Sequence, residues 1–159
     1  MLLNELLEGL NYELIQGEID KKVDQIIYDS RIKTQNGLFV AITGYKTDGH
    51  KYINAAIENG AKVIIAEKDV YINNQSITIV KVSDSRYALA CISANKYDHP
   101  STKLQLIGVT GTNGKTSITY LLGQILEEYN HKIGIVGTIE NRIGKEVVTA
   151  ERTTPESLE

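Results

Sequence analysis

The chain has one cysteine in 159 residues, Cys91, which excludes an internal disulfide. Cys91 lies in a helical pattern among alanines and an isoleucine, where a buried thiol in a reducing compartment is the expected state. Excess charge is also scarce. The formal net charge is −3, which gives no global attraction to nucleic acid or to an anionic membrane surface. Long apolar runs are missing: none approaches the roughly 20 residues that a bilayer span needs. The first residues, Met-Leu-Leu-Asn-Glu-Leu-Leu-Glu, carry acids where a secretory signal has a basic segment. These absences together predict a cytoplasmic protein with no membrane insertion and no nucleic-acid partner. Histidine occurs at His50, His99 and His131, without metal-ligand spacing, so no metal-binding histidine is expected. His50, beside a predicted helix start, reads as a cap or surface residue.

Proline occurs only twice. The first, in His99-Pro100-Ser101, marks a linker and divides the chain into residues 1–100 and 101–159. In the first part, Leu3, Leu6, Leu7 and Leu10 share one face of a short helix predicted over Leu2 to Leu10. Strands are predicted at Tyr12 to Gln16, Val23 to Tyr28, Leu38 to Ile42, Lys62 to Glu67 and Ile77 to Val82. Helices are predicted over Tyr52 to Asn59, stopped by Gly60, and from an Asp84 cap to about Tyr97. Such a mixture describes an α/β domain.

The second part opens with an apolar run from Leu104, a predicted strand. It leads into Gly111-Thr112-Asn113-Gly114-Lys115-Thr116-Ser117 and then a helix from Ile118 to Tyr129. Strand, glycine-rich loop and helix is the arrangement that cradles nucleotide phosphates: loop N–H groups and the positive helix end face the anion. Lys115 would reach the outer phosphates, and the Thr116 hydroxyl would ligate Mg²⁺. The general phosphate-loop pattern has glycine where Val109 stands, so two readings are open on the pattern alone, a nucleotide site or a plain strand-turn-helix corner. The corner leaves Lys115 without a purpose. Ile118, Leu121, Leu122, Ile125 and Leu126 form a stripe expected to face a core, while Glu127 and Glu128 read as the solvated face. Ile133 to Thr138 is the next predicted strand, and Gly144 is expected in a hairpin turn ahead of Val147 and Val148. A phosphate-loop domain needs a covered parallel sheet and an acid that helps hold Mg²⁺. Two strands and one helix fall short of it, so the second part is expected to be the truncated start of such a domain.

The combination resembles a family. Ile107-Gly-Val-Thr-Gly-Thr-Asn-Gly-Lys-Thr-Ser117 is similar to the nucleotide loop of the Mur ligases, which also lacks the first glycine of the general pattern. Asp29-Ser30-Arg31, Gly37-Leu-Phe-Val-Ala41, Gly44, Asp48-Gly-His50 and Gly60-Ala61 resemble the UDP-binding domain of that family. Ile135-Val-Gly-Thr-Ile139 and Thr153-Thr154-Pro155-Glu156 resemble the members that attach diaminopimelate or L-lysine to UDP-N-acetylmuramoyl-L-alanyl-D-glutamate. The member that adds D-alanyl-D-alanine shares the N-terminal motifs but is disfavoured by the Gly-Thr-Asn loop and the Thr-Thr-Pro triplet. A non-catalytic UDP-sugar-binding module is a further alternative.

The resemblance implies an ATP- and Mg²⁺-dependent amide ligase of cytoplasmic peptidoglycan precursor synthesis. In it the D-glutamate carboxylate attacks the γ-phosphate, and an amine displaces the resulting acyl phosphate. It also implies that this chain is an inactive N-terminal piece, with the amino-acid pocket elsewhere. Lys115 takes the catalytic role of offsetting phosphate charge, Thr116 that of metal ligand, and the residues of the 111–117 loop bind ATP. Ser30, Tyr28, the loop Tyr45-Lys46-Thr47, and Thr153 with Thr154 contact the UDP precursor. By themselves, Asp29-Ser30-Arg31 also fits an Asx turn with a solvated arginine, and Thr-Thr-Pro fits a plain loop.

Overall fold

The computed structural model describes residues 1–44, 47–150 and 154–158. Tyr45, Lys46 and Thr153, three of the expected substrate contacts, lie outside the described residues. The chain divides into two compact units, Met1–Thr102 together with Leu158, and Lys103–Ser157.

The first unit runs α1 (Leu3–Leu6), β1 (Tyr12–Gln16), β2 (Gln25–Ile27), β3 (Gly37–Ala41), α2 (Ile53–Glu58), β4 (Ala61–Ala66), β5 (Thr78–Val82) and α3 (Ser85–Lys96). The strands form one sheet in the order β1-β5-β4-β3-β2. The pairs from β2 to β5 are parallel, and β1 joins β5 antiparallel. The interior strand β3, Gly-Leu-Phe-Val-Ala, is buried at every position, as a parallel strand covered on both faces must be. Its side chains alternate. Leu38 and Val40 pack with Val63, Ile65 and Val80 beneath Leu3, Leu6, Leu89 and Ile92 of α1 and α3. Phe39 and Ala41 face the other way, with Ile64, Ile79 and the α2 residues Ile53 and Ala56. Burying each large apolar side chain contributes about 1.5–3 kcal/mol, and removal of the Phe39 ring would cost roughly 3–5 kcal/mol.

Helix α1 stops earlier than the leucine spacing predicts. The Asn95 side-chain amide donates to the Leu6 and Glu8 carbonyl oxygens, both at 2.9 Å. It thereby takes acceptors that a longer helix would need. Helix α3 begins as predicted, because the Asp84 carboxylate accepts the N–H groups of Arg86 and Tyr87 at 2.8 and 2.9 Å.

The second unit holds α4 (Lys115–Glu128) and an antiparallel sheet, β6 (Gly134–Val136), β7 (Glu140–Ile143) and β8 (Glu146–Thr149), in the order β6-β7-β8. The β7–β8 hairpin turns at Gly144 as predicted. The expected strand from Leu104 is not formed; residues 105–110 have no ladder pairing, and Leu106 and Ile107 are exposed. A strand exists only by pairing, and the strands of this unit pair with one another. The α4 stripe differs too. Ile118, Leu121 and Ile125 are exposed, and the buried position is Gly123, set against Ile133 and Ile135. The helix is tied to β7 by polar bonds. The Tyr120 hydroxyl donates to Glu140 Oε1 at 2.6 Å, and Arg142 Nη2 donates to Glu127 Oε1 at 2.7 Å. Glu127 is thus an ion-pair partner and not merely part of a solvated face.

Candidate functional site

The loop before α4 has the geometry of an anion cradle. Gly114 precedes the helix at φ +78°, a left-handed conformation that favours glycine, and a Cβ there would meet nothing within 4 Å. No side chain caps the helix, and its first N–H bond runs from Ile118 to the Gly114 oxygen at 2.9 Å. The amides of Lys115, Thr116 and Ser117 therefore have no intrahelical acceptor and point along the positive end of the helix dipole. Lys115 is exposed, and its ammonium donates to the Gly111 carbonyl oxygen at 2.7 Å. Thr112, Asn113 and Ser117 are exposed as well, and Thr116 is half-buried. A cluster of free N–H donors with one cation fits a triphosphate.

For a divalent cation the loop offers the Thr116 hydroxyl. Among the described residues no group of three or more His, Cys, Asp or Glu side chains could hold a metal. That donor set fits Mg²⁺ carried on nucleotide phosphates, since Mg²⁺ keeps several waters and needs few protein ligands.

In the first unit, the remaining candidates follow the C-terminal ends of two neighbouring parallel strands, where α/β sheets bind ligands. Tyr28 and Ser30 follow β2, and the loop 43–48 follows β3. Asp29 makes the Asx turn: its carboxylate accepts Arg31 N–H at 2.9 Å and the Arg31 guanidinium at 2.6–3.1 Å. That guanidinium holds the Asp29 carboxyl below its ordinary range. The turn is fixed from outside by Asn59, whose amide donates to the Ser30 carbonyl at 2.8 Å. The Ser30 position is thereby set through its backbone.

The loop after β3 is closed by a bridge between Thr43 and Asp48, with Gly44 N–H donating to the Thr47 oxygen at 2.9 Å. The Thr47 hydroxyl donates to Tyr52 at 3.2 Å. His50 is no surface residue: its side chain is 9% exposed and engaged at both ring nitrogens. Sequence reasoning set it aside because its partners stand at positions 48 and 67, the second far along the chain. Glu67 contributes its backbone N–H to that contact, so no residue type signals it in the sequence. Lys68 and His50 hold the Asp48 carboxyl well below the usual carboxylate range. Thr154 is exposed.

Residues 22–97 match the Mur ligase family, catalytic domain, and residues 109–159 match the Mur ligase middle domain. The chain is 51% identical over its full length to UDP-N-acetylmuramoyl-L-alanyl-D-glutamate–2,6-diaminopimelate ligase of Clostridium tetani, of which it covers 33%. Among solved structures, another ligase of the same description matches 99% of the chain and 31% of its own length, with TM-score 0.73 and 23% identity, a likeness of fold. A MurF ligase from Thermotoga maritima in complex with ADP matches 69% of this chain and 24% of its own, with TM-score 0.50 and 29% identity. The chain spans about a third of the length of the curated relatives it matches.

Proposed function

Because the chain belongs to the Mur ligase family, we propose that it forms the precursor-binding unit and the nucleotide loop of an ATP-dependent amide ligase. The ligase adds diaminopimelate, or L-lysine, to UDP-N-acetylmuramoyl-L-alanyl-D-glutamate in the cytoplasm. The observation that carries this reading is the similarity of the whole chain, both units included, to the Clostridium tetani diaminopimelate ligase. That relative's name favours diaminopimelate over lysine. Spanning a third of such a protein, the chain is proposed as a binding part and not as the whole catalyst.

In this reading residues 1–100 bind the UDP precursor and residues 101–159 carry the ATP loop. ATP, bound with Mg²⁺, supplies a phosphate to activate the carboxylate. The amides of Gly111 to Ser117 would hold the phosphates in place, Lys115 would offset their charge, and the Thr116 hydroxyl would be one ligand of Mg²⁺. Ser30 and Tyr28, with Tyr45, Lys46 and Thr47, contact the UDP part, and Thr153 and Thr154 the muramoyl-peptide part. The ADP held by the Thermotoga maritima ligase supports the nucleotide assignment.

Titration of the chain with UDP and, separately, with MgADP tests both halves, followed by backbone amide resonances. The expected result is that UDP shifts the resonances of Tyr28, Ser30 and Thr47, and MgADP those of Gly111 to Ser117. If UDP leaves the first set unmoved, or MgADP the second, that half of the reading is overturned.

A further inference from the structure

We propose that Glu67 and His50 are positioning residues for the loop between Thr43 and Asp48, holding it by both stems so that Thr47 is presented to the uridine diphosphate of the ligand. The inference rests on the assignment of that loop to the UDP precursor.

The first stem is held by Thr43, whose hydroxyl donates to Glu67 Oε1 at 2.5 Å. The second is held by Asp48. Its Oδ2 accepts the Lys68 ammonium at 2.5 Å, and its Oδ1 accepts both His50 N–H at 3.0 Å and the His50 ring at Nδ1, 2.7 Å. The far ring nitrogen, Nε2, accepts the Glu67 backbone N–H at 3.2 Å. This pair of bonds assigns one neutral tautomer to His50: hydrogen on Nδ1, lone pair on Nε2. Both stems thus end on the consecutive residues Glu67 and Lys68.

Those two residues are a rigid base. They follow Ala66, which is fully buried and paired with Ala41 on one side and Lys81 on the other. The second carboxylate oxygen of Glu67 accepts the Ser85 N–H at 3.2 Å, at the start of α3. One carboxylate therefore joins the loop after β3, the end of β4 and the N-terminus of α3. A loop that only connected β3 to α2 would need none of this. Its turn is already closed by Gly44 N–H to the Thr47 oxygen and by Gly49 N–H to the Ile42 oxygen, each at 2.9 Å. The added straps fix where Thr43 and Asp48 stand relative to the sheet, which is what preorganised ligand binding requires.

The test compares the chain with Thr43→Val, Thr43→Ser and His50→Leu variants. Thr43 is exposed, so its variants keep the fold even where His50→Leu loosens it. Hydrogen exchange at the Gly44 and Gly49 amides reports the straps without any ligand, and exchange at Phe39 and Val80 reports the sheet. Thr43→Val is expected to speed exchange at Gly44 and Gly49 by roughly fivefold and leave Phe39 and Val80 unchanged. It should weaken UDP binding by a similar factor, with Thr43→Ser restoring both. Unchanged exchange at Gly44 and Gly49 in both Thr43→Val and His50→Leu overturns the straps. Faster exchange with unchanged UDP affinity overturns the positioning role while the site assignment stands. Failure of the wild-type chain to bind UDP removes the site assignment and the positioning role together, and the exchange rates still decide whether the straps hold the loop.

Discussion

Lys115 is bonded to Gly111 across the glycine-rich loop: its ammonium donates to that residue's carbonyl oxygen at 2.7 Å. The cation is thus held over the loop by a neutral acceptor. An anionic phosphate oxygen is the stronger acceptor and would take its place, since it adds attraction between opposite charges to the ammonium's hydrogen bond.

Lys115→Ala is therefore expected to weaken MgADP binding by about tenfold or more, with the helical circular dichroism of α4 unchanged because Lys115 is exposed. Calorimetric titration measures it, and an unaltered affinity would take Lys115 out of the site.

Ser30→Ala separates side chain from backbone. The Asn59 bond goes to the Ser30 carbonyl, so the turn keeps its anchor in the variant. UDP affinity should fall by roughly fivefold, the scale of one lost hydrogen bond, with the thermal midpoint unmoved. A lowered midpoint at equal affinity would make Ser30 a structural residue.

Asp48 makes the first unit sensitive to acid. Its folded-state carboxyl lies below its unfolded value, held there first by Lys68 and then by His50. The corresponding stability is present above the unfolded pKa of about 4 and is lost as pH falls through the folded value. Asp48→Asn should destabilise by about 1 kcal/mol at pH 6, the scale of a partly exposed ion pair. The gap to wild type should close progressively below about pH 4. Urea unfolding at a series of pH values measures this, and a gap that persists undiminished at low pH would contradict it.

Asp84→Ala removes two bonds at the start of α3. A lost cap costs about 1 kcal/mol, which for a unit of this size lowers the melting temperature by roughly 4–8 °C. Calorimetric melting checks it.

The first unit was legible in the sequence because its strands β2 to β5 are largely buried apolar runs and its last helix has an aspartate cap. The α/β class is borne out by the sheet and by its likeness to solved ligases. The second unit was less legible. The run from Leu104 has a strand's composition, but composition cannot supply a pairing partner. The α4 stripe has a core-facing spacing, but Gly123 is the position that packs. At the candidate site the glycine-rich loop could be read directly, since its chemistry is contiguous in the chain. The straps on the 43–48 loop could not. Thr43, His50, Glu67 and Ser85 are brought together only by adjacent strands and a helix start, and no local spacing links them.

The sheet order β1-β5-β4-β3-β2 also dictates an order of assembly. Strand β1 leaves the ribosome before every other strand of its sheet, yet its neighbour is β5, the last of them to be made. Helix α1 waits longer still, because Asn95 of α3 secures the Leu6 and Glu8 carbonyls. Strand β1 must stay unpaired while the rest of its sheet emerges, and the long loop that its pairing with β5 closes slows that final step. What is synthesised first is locked last.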